Sequence, residues 1–240
     1  MSQAGAWTFS FWGKHPAFGD YIRVNADGAL FYALARWIDK SGSALREASP
    51  GSARFWIVPP GSDHLFCGMI MPGSDSQGRR SPVLCAVQGG VPPGPQQYWE
   101  RISRGCLATW DGMAGLADRR FDTIPAFREA LHGICVPDID NPPVTVFEES
   151  PCMDAARKAV GNGMTRNKSR FIREKRLHFL VECQSGGSAD WEPWVSAVRE
   201  SVEVMPCSLF AWKREDSWRL YFLYRPLSPA DFKTMQQGGE

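Results

Sequence analysis

Residues 54–72 read RFWIVPPGSDHLFCGMIMP, and this stretch decides the fold that the sequence predicts. Residues 54–59 and 65–72 are short apolar runs rich in aromatic and branched side chains. The PGSD between them is typical of a hairpin turn. A third apolar run follows at 82–88. The stretch therefore predicts two strands joined as a hairpin, with another strand close behind.

Working outward, helical and extended patterns are interspersed along the chain. Further strands are predicted at 7–12, 144–147, 176–183, 208–213 and 218–224. Helices are predicted at 25–46, 95–116, 124–131, 153–160 and 191–205, and a terminal helix begins with a capping-box-like Ser228 to Asp231. Hairpins mixed with helices predict an α/β protein with a mixed, largely antiparallel sheet flanked by helices, a layered α-β-α sandwich.

The composition is that of an ordinary globular protein with an even charge balance. The chain has 240 residues, and its 27 basic and 26 acidic side chains nearly cancel. This length predicts a single domain over 1–240, with a Pro-rich connector at 136–143 as the candidate internal boundary. The weak net charge argues against nucleic acid as a partner. The basic stretch at 166–176 is expected to be a solvated loop or a contact for an acidic partner.

The location expected from the sequence is the cytoplasm. The N-terminal residues lack the pattern of a secretory signal peptide, and no run approaches the roughly 20 apolar residues of a membrane span. Seven cysteines, most of them inside apolar runs, predict reduced core thiols. The ten tryptophans, spread over the whole chain, are expected to be mainly core anchors.

Familiar enzyme and metal motifs are missing. A phosphate-binding P-loop around WGKH would need Gly and Ser or Thr where Thr8 and His15 stand, and no G-x-S-x-G occurs. Two His-x-x-Cys pairs begin at His64 and His132. They are more typical of core cysteines beside unrelated histidines than of a zinc site. We therefore expect no catalytic residues, no metal and no cofactor.

Two Gly- and Pro-rich stretches are the candidate functional segments: FWGKHPAFGDYIR at 11–23 and MPGSDSQGRRSP at 71–82. In the first, Asp20 and Arg23 are expected just before a helix, where free N–H groups favour a carboxylate. In the second, Asp75 is a turn former and Arg79 offers a planar fork of donors. Either the two stretches form a surface for a ligand or a partner protein, or they are tight turns that Asp–Arg pairs hold together.

The pattern GKxPxxGDYxR at 13–23, followed by RFWIVPP at 54–60 and GMIMPGSDSQGRRSP at 68–82, resembles the TagF (ImpM) family of bacterial type VI secretion. The likeness is strong over 7–90 and weaker beyond. Three departures are Tyr21 in place of the usual Phe, the extra Gly73 before Ser74, and a single Trp37 where the family has a tryptophan pair.

The resemblance implies a non-enzymatic, cytoplasmic adaptor that represses assembly of the secretion apparatus after translation by binding a forkhead-associated scaffold protein or another secretion component. On this reading five charged residues form one polar edge: Lys14, Asp20, Arg23, Asp75 and Arg79. Five others shape its backbone: Gly13, Pro16, Gly19, Pro72 and Gly78. The alternative is a phosphate- or nucleotide-sensing domain or enzyme with an anion site at Lys14, Asp75 and Arg79. A third reading is purely architectural, with both stretches serving only to lock the sheet.

Overall fold

The computed structural model describes residues 6–40, 51–142, 153–162, 175–182, 191–202, 204–214, 217–228, 230–231 and 234–235. Within these ranges eight strands are present: β1 Thr8–Lys14, β2 Tyr21–Val24, β3 Ala53–Ile57, β4 His64–Ser74, β5 Arg80–Gly90, β6 Arg176–Glu182, β7 Ser208–Arg214 and β8 Ser217–Leu223. The helices are α1 Ala29–Lys40, α2 Trp99–Gly105, α3 Leu107–Asp118, α4 Ile124–His132, α5 at 153–162 and α6 Glu192–Ser201.

The described strands form one sheet in the order β2-β1-β5-β4-β3-β7-β8-β6, and every neighbouring pair is antiparallel. The 11-residue strands β4 and β5 form its centre, paired from His64 opposite Gly90 to Ser74 opposite Arg80. Strands from both sides of the 136–143 connector take part, because β3 pairs with β7. The predicted α/β class with a largely antiparallel sheet is confirmed.

Two apolar layers cover the two faces of the sheet. On one face, α1 packs its buried Phe31, Leu34 and Ile38 against the sheet. Their spacing of three and four residues places these side chains on one side of the helix. On the other face, α2 to α6 pack over a second and larger cluster. Helices on both faces of a single sheet complete the predicted α-β-α layers.

Tryptophan supplies much of the packing in both layers. Six indoles have at most 2% of their surface exposed: Trp56, Trp99, Trp110, Trp191, Trp212 and Trp218. Arg54 lies between two of these rings, with its guanidinium carbon 5.8 Å from the Trp110 centroid and 5.9 Å from that of Trp218. The prediction that tryptophans are mainly core anchors is thus confirmed for the described residues.

The cysteines that the structure describes include three that are buried and free, Cys67, Cys85 and Cys106. Burial raises the pKa of the Cys67 and Cys85 thiols, so both stay protonated at neutral pH. His64 is largely exposed while Cys67 is in the core, so the two side chains of this His-x-x-Cys pair do not face a common metal site. In the described part of the chain, no three His, Cys, Asp or Glu side chains lie close enough together to hold a metal ion.

Two predicted boundaries are wrong, because pairing of residues 21–24 with β1 delays the first helix and a break at Cys106 divides the second. The prediction placed Asp20 and Arg23 just before a helix, but residues 21–24 form β2, and the helix begins only at Ala29. The single helix predicted at 95–116 is a short 3₁₀ turn followed by α2 and α3, which meet at Cys106. There the Gly105 carbonyl accepts a hydrogen bond from the Asp138 N–H of the connector.

Some predictions fall outside the described residues, namely the strand at 144–147 and most of the basic stretch at 166–176. The predicted capping box is visible in part, since the Asp231 carboxylate accepts hydrogen bonds from the Ser228 N–H and hydroxyl, both 2.7 Å. Among the described helices, none is both long and apolar enough to cross a membrane.

Candidate functional site

The two sequence motifs meet at one end of the sheet. We call residues 15–20, between β1 and β2, the first motif loop, and residues 75–79, between β4 and β5, the second motif loop. The Ser76 N–H donates to the Phe18 carbonyl at 2.9 Å, and Arg79 Nη2 donates to the Gly19 carbonyl at 2.8 Å. Both contacts join one loop directly to the other.

Asp75 is the centre of this junction. Its Oδ2 accepts from Lys14 Nζ at 2.8 Å and from Arg79 Nε at 2.6 Å. Its Oδ1 accepts from the backbone N–H groups of Gln77 at 3.0 Å and Arg79 at 2.9 Å. The side chain is fully buried, so these four donors replace its water. The carboxylate therefore ties β1 to both ends of the second motif loop.

The charge of Asp75 is stabilised by its surroundings. Burial by itself raises the pKa of this carboxyl, but the hydrogen bonds from Lys14, Arg79 and Gln77 outweigh it and hold the pKa well below its usual range. Lys14 is 11% exposed and Arg79 is 56% exposed. The two cations are thus directed at Asp75, and only Arg79 keeps a large part of its side chain in solvent.

Two glycines allow this geometry. Gly78 has φ +74° and its N–H donates to the Asp75 carbonyl at 2.9 Å, which closes the second motif loop as a tight turn. Gly13 has φ +142°, and a Cβ there would lie 2.8 Å from Val83 Cα. Gly78 therefore lies in a turn, as the sequence predicts, whereas Gly13 lies within β1 opposite Ile22 and allows the close approach of β1 to β5. Pro72 likewise lies within a strand, β4, opposite Pro82.

Pro16 and Gly19 occupy the first motif loop as expected. Pro16 follows His15 in a turn that the Phe18 N–H closes by donating to the His15 carbonyl at 2.9 Å. Gly19 supplies the carbonyl that Arg79 binds, and a Cβ at this position would meet nothing nearer than Ser76 Oγ at 3.7 Å. Its contribution is therefore through its backbone oxygen.

The remaining predicted residues lie apart from the Asp75 junction. Asp20 is exposed, and its Oδ1 accepts from the Tyr21 N–H at 2.7 Å. Arg23 is exposed on the edge strand β2, opposite Trp12 of β1. The structure therefore brings Lys14, Asp75 and Arg79 into contact, and leaves Asp20 and Arg23 along the adjoining edge.

A cleft of about 330 Å³ opens beside the junction. Its wall combines residues of both motifs with the end of α3, including Lys14, Pro16, Ser74, Arg80, Ser81 and Asp118. Ser81 shares a hydrogen bond of 2.6 Å with the Tyr21 hydroxyl. Arg80 is exposed and has no ion-pair partner among the described residues. The cleft is therefore a concave, partly basic surface.

His15 is a site residue that sequence reasoning used only to reject a P-loop. It is 2% exposed, and its ring packs against Phe18, Phe121 and Phe127. Nδ1 accepts from the Ala17 N–H at 3.2 Å, which assigns the proton to Nε2, 3.0 Å from the Leu116 carbonyl. The neutral ring thereby fastens the first motif loop to the end of α3.

This environment predicts that the protein loses stability in mild acid. Burial lowers the pKa of His15 more than the Leu116 carbonyl raises it. Below the ordinary histidine pKa of about 6.5, the unfolded chain therefore binds more protons at this site than the folded one. The His15 contribution to stability is complete above that pH and declines as the pH falls below it. Urea unfolding at several pH values between about 7.5 and 5 measures the decline.

Two variants test whether His15 causes the acid sensitivity. His15→Gln does not titrate, so it is expected to flatten the pH dependence. His64→Gln removes an exposed imidazole and is expected to keep the wild-type dependence. An unchanged slope in His15→Gln would assign the sensitivity to other groups.

Comparisons with known proteins give few matches. No family model matches the chain, and no curated protein matches its sequence. Among solved structures, the crystal structure of PA0076 from Pseudomonas aeruginosa PAO1 is similar at 15% sequence identity and a TM-score of 0.48, over 97% of this chain and 96% of that one.

Proposed function

We propose that this chain is a cytoplasmic regulator of a bacterial type VI secretion system, which represses assembly of the apparatus after translation by binding a forkhead-associated scaffold protein. The observation that supports this proposal is the junction at Asp75, where Lys14 and Arg79 join the two family-like motifs into one preorganised surface. Fixing two loops before a partner arrives reduces the entropy that binding must overcome.

The chemistry of the junction favours docking over catalysis. A general base needs a free lone pair and a pKa near the working pH. Asp75 instead accepts four hydrogen bonds, is closed off from solvent and has a lowered pKa. Its carboxylate is therefore a structural tie.

The groups available to a partner lie around this tie. Asp20, Arg79 and Arg80 are exposed in or next to the two motif loops, and Arg23 is exposed on the adjoining edge strand β2. Charges at the rim of an interface steer encounter and choose partners, while well-packed central groups carry most of the affinity. We therefore assign partner choice to these four side chains and the shape of the surface to the two loops.

A pull-down with the forkhead-associated scaffold tests the proposal. Asp20→Ala and Arg79→Ala are expected to weaken binding, since each removes a charge that guides the partner, and Arg79→Ala also removes an ion pair of the Asp75 junction. Asp63→Ala and Arg36→Ala are matched controls, because both residues are exposed away from the two loops, and both variants are expected to bind as wild type. Folded Asp20→Ala and Arg79→Ala proteins that bind as wild type would show that the surface is misplaced.

A second candidate function is the sensing of phosphate or a nucleotide. The cleft favours it, because Lys14 and Arg80 both line its wall. A ligand at 100 times its dissociation constant adds about 2.7 kcal/mol of stability, so a panel of nucleotides should raise the melting temperature if this candidate holds. An unchanged melting temperature with every nucleotide, together with binding to the scaffold, would favour the regulator over the nucleotide sensor.

A further inference from the structure

A second cavity lies on the α1 face of the sheet, away from both motif loops. Its volume is about 350 Å³. One wall is α1, with Leu30, Ala33, Leu34 and Trp37. The opposite side is formed by Pro59 and Pro60 after β3 and by residues 225–228 after β8, and Ile57, Cys207 and Ser208 also contribute. Helix, sheet and C-terminal segment thus line one space, which opens to solvent at Ala33, Pro60 and Pro226.

The C-terminal wall of this cavity is held in place by two sets of contacts. Arg225 makes a two-pronged ion pair with the buried Asp231, at 2.7 and 2.6 Å. The Trp37 indole N–H donates to the Ser228 carbonyl at 3.2 Å, which ties this wall to α1. The cavity is therefore a built feature of the fold.

The lining is almost entirely uncharged. Among the described residues, Arg225 is the single charged side chain in the wall, and its guanidinium is neutralised by Asp231. Burial raises the pKa of the Cys207 thiol, so this group is also neutral at ordinary pH. The other side chains are aliphatic, proline, tryptophan and serine. A charged ligand would find no counter-charge here, because moving an ion out of water needs compensation.

Ser208 is the exception within the apolar wall. It begins β7 opposite Ile57, so both side chains lie on the α1 face of the sheet. Ser208 is 1% exposed, and its hydroxyl has no hydrogen-bond partner among the described residues. Buried polar groups are nearly always paired, and an unpaired one is costly. The hydroxyl is a polar group without an assigned role, at the wall of an apolar cavity.

We propose that this cavity binds a small, uncharged, planar aromatic molecule that carries one hydrogen-bonding group, which pairs with Ser208. An apolar cavity of roughly 150 Å³ in another protein holds benzene, so 350 Å³ accommodates a fused two-ring body. The Trp37 ring and the two prolines offer flat surfaces suited to such a body. Apolar walls with a few placed polar groups are the usual composition of ligand pockets. This site is independent of the scaffold surface proposed above.

The test compares indole with indene, two probes of nearly the same shape of which only indole has an N–H donor. Each is titrated into the full chain and followed by two-dimensional NMR of the backbone amides. Both probes are expected to shift resonances around the cavity, and indole is expected to bind about tenfold more tightly than indene. In Ser208→Ala the two affinities are expected to become equal.

Controls separate binding from folding. Ser208→Ala removes an unpaired hydroxyl, so it is expected to melt no lower than wild type. Ser201→Ala, on α6 at the opposite face, is expected to keep the tenfold preference. Ala33→Phe places a ring at an exposed position of the cavity wall and is expected to weaken both probes about tenfold or more. Absence of saturable binding, or an unchanged preference in Ser208→Ala, would overturn the proposal.

Discussion

Asparagine in place of Asp75 is expected to weaken scaffold binding by more than tenfold, and to destabilise the protein more than any replacement of an exposed charge on the same surface. An asparagine Oδ1 still accepts from the backbone N–H groups of Gln77 and Arg79. Its NH₂ group, however, replaces the oxygen that Lys14 and Arg79 contact. Donors would then face donors, and the Lys14 ammonium would lose its partner in a largely buried position.

Urea unfolding and the scaffold pull-down, done in parallel, measure both effects. Asp20→Asn is the matched control, because it makes the same chemical change at an exposed carboxylate. Adding Lys14→Met to Asp75→Asn removes one of the opposed donors. The double variant should therefore lose less stability than the sum of the losses measured in the two single variants. Strictly additive losses would mean that Lys14 and Asp75 do not act as a pair.

Alanine in place of Gly13 is expected to destabilise the fold by about 3 kcal/mol, the combined scale of backbone strain and overpacking. At φ +142°, a Cβ would lie 2.8 Å from Val83 Cα and 2.9 Å from the Pro82 carbonyl oxygen. Both are backbone atoms of β5, so neither can turn aside as a flexible side chain would. Equilibrium denaturation of the purified variant measures the loss.

Gly78→Ala separates backbone strain from overpacking. Gly78 also has positive φ, at +74°, but a Cβ there would meet nothing within 4 Å. This variant should therefore lose only the strain contribution of about 1–2 kcal/mol. Equal losses at the two positions would show that the contact between β1 and β5 is looser than described.

The local patterns of the sequence were sufficient to predict most strands of the sheet. The β3–β4 hairpin and the β7–β8 hairpin both join neighbouring runs by short turns, so apolar runs and turn residues predict them. The strand β2 was missed, although Tyr21–Val24 alternates between exposed and buried side chains. Four residues are too few for a clear period, and β2 is defined by its pairing with β1.

Three residues of the Asp75 junction could be singled out from the sequence, but their contacts could not be predicted. Lys14, Asp75 and Arg79 were singled out because charged residues stood in Gly- and Pro-rich stretches. That Lys14 contacts Asp75, 61 positions away, depends on β1 and β4 both pairing with β5. The bond between His15 and Leu116 spans 101 positions and brings in a helix that neither motif contains. Such contacts belong to the tertiary fold, which no local pattern encodes.

On the ribosome, β3 emerges long before one of its two neighbours. It pairs with β4 a few residues later, but its other edge pairs with β7, which begins only at Ser208. All five residues of β3 are buried, so until β7 arrives the nascent chain carries an unpaired apolar edge of the kind that recruits other strands. The segment 7–90 holds both motif loops, yet without the rest of the chain it would retain this open edge. The junction of the two loops therefore depends on the C-terminal hairpin that completes the sheet.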